Sequence, residues 1–376
     1  MGPAMTVSGF SHTVWTRSRI TVFPLFLVFL TLSAAHADHS TPLFSNDSLI
    51  KATIEAPFRD IMGKRDEEFE PPGKFIYLDN DGLEYEFDIK VRSRGRFRAR
   101  KDVCDFTPLR LNFKKKQVVD TEFDGQDKLK LVTHCQSAGR SHEQLILREY
   151  LAYRFFAMLT DNAFRVRLLE ITYVDSKGKS KKRTRFAFLI EHKDQVAERN
   201  HIGFAKVRSL EYSQVEPQQT NLLTVFSYFI GNTDFSAIRA AEDEHCCHNI
   251  MLLTGETGQF LPIPFDFDFS GIVDSPYAAP GEQFDVSNVT TRVYRGLCRN
   301  NELLPSTFAM FEEQHAAMLS LVGSLDALRN KTRKQVRRYV ESFYDTIANQ
   351  AMVEKEFLKE CSEATGPPSQ ISAIRR

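Results

Sequence analysis

The sequence has no excess of charge of either sign. Its 49 Lys and Arg residues are balanced by 49 Asp and Glu residues. Proteins that hold nucleic acid through its phosphates carry a basic patch or a basic net charge. The balanced charge therefore argues against nucleic acid as a partner. The chain also has no internal repeat and no low-complexity segment, which favours a globular protein.

The sequence also lacks a long apolar run. The shorter apolar run that it contains lies near the N-terminus. Residues 20–32 are largely apolar but shorter than the roughly 20 residues that a membrane-spanning helix needs. Arg17 and Arg19 precede this run, and Ala35-His36-Ala37 follows it. This order is typical of a signal peptide. We expect residues 1–37 to be removed, leaving a secreted or periplasmic protein with no stable membrane insertion. An uncleaved anchor is the alternative.

Six cysteines follow the predicted cleavage point. In an oxidising compartment such a set forms disulfides, although six cysteines allow fifteen pairings. We expect at least one or two disulfides, with Cys135 joined to Cys246 or Cys247. A zinc site is the second interpretation, because His245 and His248 flank the two adjacent cysteines. Adjacent cysteines lack the Cys-x-x-Cys spacing that holds one zinc ion, which favours the disulfide.

The predicted elements divide the mature chain into two halves. Residues 75–200 contain short strands of alternating polarity and one long helix at 143–159. Residues 201–361 are mostly helical. We expect residues 38–74 to form a strand and a connector, and 362–376 to form a disordered tail. The 31 Phe residues indicate a Phe-rich core. The pattern predicts an α+β fold with a sheet-rich first half and a helical second half.

Four polar residues near the middle of the chain could form one site, in which Asn249, Asp266 and Asp268 could hold a metal ion. Asp234 follows an apolar helix, Asn249 opens the first strand of a predicted hairpin, and Asp266 and Asp268 follow the second strand. The strands of a short hairpin return to where they began, so Asn249 should lie near Asp266. Mg²⁺ prefers one or two carboxylates together with phosphate oxygens and water. The plain alternative is that these are turn and strand-edge residues.

An alternating set of arginines follows the predicted hairpin at 75–91. On an extended chain all five would share one face, and they are Arg92, Arg94, Arg96, Arg98 and Arg100. They could bind phosphates or an acidic substrate, or they could form an exposed, charged strand edge.

These motifs resemble the spore-coat-protein-H (CotH) kinase family over roughly residues 85–275. The resemblance rests on Asn232-Thr233-Asp234, then His248-Asn249 before an apolar strand, then Pro264-Phe265-Asp266-Phe267-Asp268. Leu147-Arg148-Glu149-Tyr150-Leu151-Ala152-Tyr153 and the strand at 186–191 extend it upstream. The resemblance implies a two-lobed, protein-kinase-like fold, with a sheet-rich N-lobe at 75–200 and a helical C-lobe at 201–361.

The resemblance also implies roles for single residues. Asp234 would be the catalytic aspartate, Asn249 and Asp266 the metal ligands, and Asp268 an alternate ligand. Kinases pair a strand lysine with a helix glutamate near the phosphates, and Lys130 with Glu149 fits this plan. Arg110 is the second candidate for the phosphate cation. For Lys130 and Glu149 the alternative is a solvated surface position. The sequence departs from the usual pattern because it lacks a Gly-x-Gly-x-x-Gly loop.

The predicted function is an exported kinase that uses ATP with Mg²⁺ or Mn²⁺. Its acceptor would be the hydroxyl group of Ser or Thr in a protein, or a hydroxyl group of a small molecule. Two alternatives come from other classes of protein. One is a catalytically inactive structural or adhesion protein. The other is a zinc-dependent hydrolase that uses the cluster from His245 to His248.

Overall fold

The computed structural model describes four long stretches of the chain and a few isolated positions among the first nine residues. The stretches are 41–240, 245–255, 257–281 and 283–363. Most of the predicted signal peptide and the chain after residue 363 lie outside the described residues. Ser362, which was assigned to the tail, forms a β-bridge with Leu297.

Seven strands form a closed barrel in the first half of the chain. They are β1 (Ile50–Ala56), β2 (Pro72–Leu78), β3 (Glu84–Ser93), β4 (Leu109–Phe113), β5 (Lys128–Val132), β6 (Val166–Asp175) and β7 (Arg183–Ile190). Their order around the barrel is β1-β2-β3-β4-β5-β7-β6. Neighbouring strands are antiparallel except β1 and β6, which run parallel and close the barrel.

The closed barrel shows that the predicted two-lobed, protein-kinase-like fold is wrong, since that fold has an open sheet. The reason lies in β1, which the sequence predicts as a strand in residues 38–74 but places outside the sheet of the N-lobe. Ile50 to Ala56 pair with Leu169 to Asp175 along the full length of β1. Local alternation predicts that a segment is extended, but it carries no information on a partner more than a hundred residues away.

The barrel interior is rich in aromatic side chains. Along β3 the side chains of Phe87, Ile89 and Val91 are buried, while the residues between them point outward. Phe75 and Phe113 both contact Phe123, with ring centroids 5.0 and 5.3 Å apart. This alternation is typical of a strand with one face in a core. It confirms the predicted Phe-rich core.

Helices and a small second sheet make up the rest of the described chain. The α-helices are α1 (Pro42–Ser45), α2 (Phe58–Lys64), α3 (Ser141–Leu159), α4 (Lys193–Arg199), α5 (Pro217–Ile230), α6 (Leu304–Ser324), α7 (Asn330–Ile347) and α8 (Gln350–Val353). Short 3₁₀ turns occur at Lys115–Gln117, Tyr212–Gln214 and Cys298–Leu303, and a π-helical turn at Glu354–Leu358. The second sheet has the order β10-β9-β8 and contains β8 (Gly203–Ala205), β9 (Ile250–Thr254) and β10 (Phe260–Pro264).

The helix α3 joins the barrel to the helical region. It packs against β6 and β7 on one side and against α6 on another. Because it is enclosed in this way, even its charged residues Arg148 and Glu149 are buried. Across the described part of the chain, no helix combines the length and the apolar character that crossing a membrane requires.

All six cysteines are paired, but not as the sequence analysis expected. The disulfides are Cys104–Cys135, Cys246–Cys247 and Cys298–Cys361. The predicted link from Cys135 to Cys246 or Cys247 is therefore wrong. The backbone N–H groups of Asp105 and Phe106 donate to the carbonyl oxygen of Cys135, which brings Cys104 beside it, with the Cα atoms 4.7 Å apart.

Candidate active site

Asp234 is positioned by the end of α5. Glu216 begins this helix by accepting hydrogen bonds from the N–H groups of Gln218 and Gln219. Gly231 ends it in the left-handed region, at φ 68°, which favours glycine. The next turn is held by Asn232, whose Oδ1 accepts a hydrogen bond of 3.0 Å from the N–H of Asp234.

The Asp234 carboxylate has two side-chain partners from one segment. His248 Nε2 lies 2.7 Å from Asp234 Oδ1. Asn249 Nδ2 donates to Asp234 Oδ2 at 3.0 Å and to the Asp234 carbonyl oxygen at 2.8 Å. The carboxylate is therefore fixed in direction while remaining about 29% exposed. Since Asn249 turns its amide nitrogen towards Asp234, its carbonyl oxygen Oδ1 is directed elsewhere.

The hairpin of β9 and β10 brings Asn249 close to Asp266, as the sequence predicts. Ile250 pairs with Pro264 at the open end of the hairpin. One position further, the N–H of Phe265 donates to the carbonyl oxygen of Asn249 at 3.0 Å. Asn249 and Asp266 both adopt positive φ, at 53° and 64°. Such conformations in non-glycine residues occur more often at functional sites than elsewhere.

Asp266 is also held by α3, because its N–H donates to Tyr153 Oη at 2.8 Å. Its side chain is exposed, whereas that of Asp268 is buried, with 5% of its surface accessible. Tyr277 Oη donates to Asp268 Oδ2 at 2.9 Å. Burial and, next, the neighbouring Asp266 carboxylate together raise the pKa of Asp268 to about 7, although Arg98 opposes the shift.

Glu149 lies close to Asp266 and Asp268 and not beside Lys130. Burial raises the pKa of Glu149 well above its usual value, and the Asp268 carboxylate adds to the shift. Among the described residues, its ion pair is with Arg98, whose Nη1 lies 3.9 Å from Glu149 Oε2. The other oxygen, Oε1, is buried without a hydrogen-bond partner in the described part of the chain. The predicted Lys130–Glu149 pair is therefore replaced by an Arg98–Glu149 pair.

Lys130 and Arg110 lie side by side on β5 and β4. The strand register pairs Arg92 with Arg110 and Arg110 with Lys130, so the three cations form one row. Desolvation, followed by repulsion from Arg94, lowers the pKa of Lys130 to about 8, and Asp266 opposes the shift. Lys130 is nevertheless an exposed residue of β5, and its ammonium lies 5.2 Å from the centroid of the Phe265 ring.

The arginines at 92–100 do not form a continuous strand face, because β3 ends at Ser93. Two of them nevertheless lie at the site. Arg94 interacts electrostatically with Asp266, and Arg98 with Asp268 and Glu149. The sequence pattern predicted a role for these arginines as a group, but it did not predict that two of them lie beside the aspartates. It gave no role to His248 at this site, nor to Tyr153 or Tyr277.

The donor set suits a hard cation with oxygen ligands. Asn249, Asp266 and Asp268 supply amide and carboxylate oxygens, which is the chemistry that Mg²⁺ prefers. The Asp266 carboxylate raises the pKa of Asp268, and both aspartates raise the pKa of Glu149, so a nearby cation would relieve that repulsion. The described residues contain no group of three or more His, Cys, Asp or Glu side chains suited to a metal ion. The cysteines of the predicted zinc cluster are joined to each other and offer no thiolate.

Comparison with known proteins yields no relative: no protein-family model matches the chain, and no curated protein matches it.

Proposed function

We propose that this protein is a phosphotransferase that uses ATP and Mg²⁺ or Mn²⁺ and modifies a hydroxyl group. The observation that carries the proposal is the hydrogen bond from Asn249 to Asp234, because Asn249 begins the hairpin that leads to Asp266. Phosphoryl transfer needs few protein groups, namely a carboxylate for the acceptor, oxygen ligands for the metal and cations for the phosphates. All three kinds lie within this site. The resemblance of its motifs to CotH kinases supports the same assignment, without the kinase fold.

Asp234 is the residue that we assign to the acceptor. Its carboxylate is held by His248 and Asn249, so it can accept a hydrogen bond from an incoming hydroxyl in one defined direction. A carboxylate in this position orients the hydroxyl and accepts its proton during transfer.

Asn249 and Asp266 are the residues that we assign to the metal, and Asp268 is the alternate ligand. Bound Mg²⁺ would supply neutralising charge to the phosphate oxygens. Tyr153 fixes the backbone of Asp266, and Tyr277 together with Arg98 holds the buried Asp268 carboxylate.

Lys130 and Arg94 are the cations that we assign to the phosphates, with Arg110 next to Lys130 in the same row. Their positive charges face the Asp266 carboxylate across the site. A lysine whose pKa lies near 8 is still largely protonated at neutral pH, so it can pair with a phosphate oxygen.

The proposed setting is outside the cytoplasm. The disulfides favour an oxidising compartment, and the n-, h- and c-regions of residues 1–37 predict export with cleavage after Ala37. A protein hydroxyl on Ser or Thr is the acceptor that we favour over a small molecule. The zinc-hydrolase alternative loses support, because Cys246 and Cys247 are paired with each other.

Transfer of labelled phosphate from ATP tests the proposal. The exported protein, with its disulfides intact, is incubated with Mg²⁺ or Mn²⁺ and Ser/Thr-containing acceptor proteins. We expect incorporation by the wild type and a loss of about 100-fold or more in Asp234→Asn, because that variant lacks the carboxylate that accepts the proton. Asp326→Asn, which alters an exposed carboxylate between α6 and α7, is the matched control and should retain activity.

Two outcomes would contradict the proposal. If the wild type transfers no phosphate with either metal, the inactive structural protein becomes the better account. If Asp234→Asn is as active as Asp326→Asn, the activity belongs to another site.

A further inference from the structure

A cleft of about 340 Å³ opens on the barrel surface between α2 and the β6–β7 hairpin. Its walls include the rings of Phe58, Phe106 and Tyr173, whose centroids lie 4.9 to 5.7 Å from one another. None of the residues assigned to phosphotransfer lines this cleft. A volume of this size is within the range of small-molecule binding sites, which starts at about 300 Å³.

Three buried side chains present unpartnered polar atoms to the cleft. His134 is 1% exposed, Tyr173 4% and Asp175 7%. Both ring nitrogens of His134, the Tyr173 hydroxyl and Asp175 Oδ2 have no hydrogen-bond partner among the described residues. A buried polar atom left unpaired costs about 1–3 kcal/mol, and folded proteins retain few of them. Several around one cleft are typical of a site that a polar ligand completes.

The cleft is lined by three cations, Arg59, Lys181 and Arg183, and by two carboxylates, Asp105 and Asp175, so its charge favours an anion. Arg59 and Lys181 lie exposed at its mouth, and Arg183 faces inward because it pairs with Tyr173 across the two strands. Burial keeps His134 neutral, and the charged groups that act on it in the same direction are all basic, Arg185 and Arg183 first. A carboxylate entering the cleft would therefore meet cations at the mouth.

The deeper part of the cleft favours a hydroxyl group and a flat ring. Asp175 Oδ1 already accepts a hydrogen bond from the N–H of Lys177, so Oδ2 is left to accept from a ligand donor. The Tyr173 hydroxyl and neutral His134 can each donate or accept. Aromatic walls pack well against a ring face, as His134 itself does on Phe106, with centroids 4.5 Å apart.

We propose that this cleft binds a small ring-shaped hydroxycarboxylate, with its carboxylate at Arg183 and Lys181 and a ring hydroxyl at Asp175 and Tyr173. The same chemistry occurs in an aromatic hydroxy acid and in a sugar acid. The site is separate from the one proposed for phosphotransfer, and neither proposal depends on the other.

Calorimetric titration and thermal unfolding of the exported protein test the proposal with two probes, para-hydroxybenzoate and glucuronate. We expect at least one of them to bind and to raise the Tm with increasing concentration. Benzoate lacks the hydroxyl and glucose lacks the carboxylate, so each should bind about tenfold more weakly than its parent probe. Binding of para-hydroxybenzoate alone indicates the aromatic acid, and binding of glucuronate alone indicates the sugar acid.

Matched variants assign the binding to this cleft. Tyr173→Phe keeps the ring and removes only the unpartnered hydroxyl, so the unliganded Tm should stay the same or rise while the shift caused by the probe shrinks. Arg183→Gln should weaken binding about tenfold, whereas Lys182→Gln, on the same hairpin but outside the lining, should leave it unchanged. The proposal is wrong if neither probe binds at millimolar concentration, or if both Tyr173→Phe and Arg183→Gln bind as the wild type does.

Discussion

At the scale of single residues, the site proposed for phosphotransfer differs from the rest of the surface in the charged side chains that it buries. Asp268, Glu149 and Arg98 are 5%, 1% and 7% exposed, although such residues are almost never fully buried unless they are paired. The Asp268 carboxylate raises the pKa of Glu149, and the Asp266 carboxylate raises the pKa of both. Groups with perturbed pKa values that collect in one place are more frequent at functional sites than elsewhere. This burial is independent of the sequence motif and points to the same residues.

His134 makes stability depend on pH in a defined window. Burial, together with repulsion from Arg185, Arg183, Arg98 and His142, lowers its pKa from 6.5 to about 3. Between these two values the unfolded chain binds the proton that the folded chain rejects. Stability is therefore fully present above pH 6.5 and is lost as the pH falls towards 3, by up to about 1.4 kcal/mol per pH unit.

Urea unfolding at several pH values between about 4 and 7 measures this dependence. Carboxyl groups in general take up protons at the low end of this range. The comparison is therefore with His134→Leu, which removes the imidazole but leaves those groups. Its free energy of unfolding should change less steeply with pH. Parallel curves for the two proteins would show that His134 does not titrate on unfolding.

At the scale of elements, local pattern located most strands and helices correctly. Alternating polarity predicts strands at 109–113 and 128–132, which coincide with β4 and β5, and the helix predicted at 143–159 lies within α3. The amphipathic pattern at 325–359 predicts one long helix, but the structure interrupts it. Asn349 Oδ1 accepts hydrogen bonds from the N–H groups of Ala351 and Met352, which starts a new helix there.

The site was predictable only where its residues lie on one hairpin. Antiparallel pairing brings Asn249 to Asp266 whatever the rest of the fold does. The partner of Glu149 was not predictable in this way, because it depends on how α3 sits against the barrel and on the loop that follows β3. Arg98, which lies in that loop, forms the ion pair with Glu149 that was predicted for Lys130.

Gly231 is the element boundary on which the position of Asp234 depends. Its φ of 68° disfavours other residues, and a Cβ atom would meet Tyr339 Oη and lie 3.3 Å from the Cα of Gly271. Gly231→Ala should lower the free energy of unfolding by roughly 2 kcal/mol or more in urea titrations. Gly258→Ala is the control, since Gly258 has φ 80° but open space around it. It should lose only about 1 kcal/mol. An equal loss in both variants would contradict the packing argument.

At the scale of the whole molecule, the sequence pattern did not predict that the sheet closes into a barrel. The parallel pairing of β1 with β6 joins segments that are distant in the chain, and nothing in the local pattern of either strand specifies it. Within the barrel β4 and β5 pair with each other and place Arg110 beside Lys130, and Lys130 interacts electrostatically with Asp266, which follows β10. The barrel thus supplies cations and the helical region supplies carboxylates.

The central claim is that Asn249 and Asp266 hold the metal for a nucleotide while Asp234 serves the acceptor. Calorimetric binding of a non-hydrolysable ATP analogue, with and without Mg²⁺, tests it most directly. The account predicts binding that depends on Mg²⁺ in the wild type, a loss of at least about tenfold in Asp266→Ala, a smaller loss in Asp268→Ala and nearly unchanged affinity in Asp234→Ala. A wild-type protein that binds no nucleotide in the presence of Mg²⁺, or an Asp266→Ala variant that binds as well as the wild type, would contradict it.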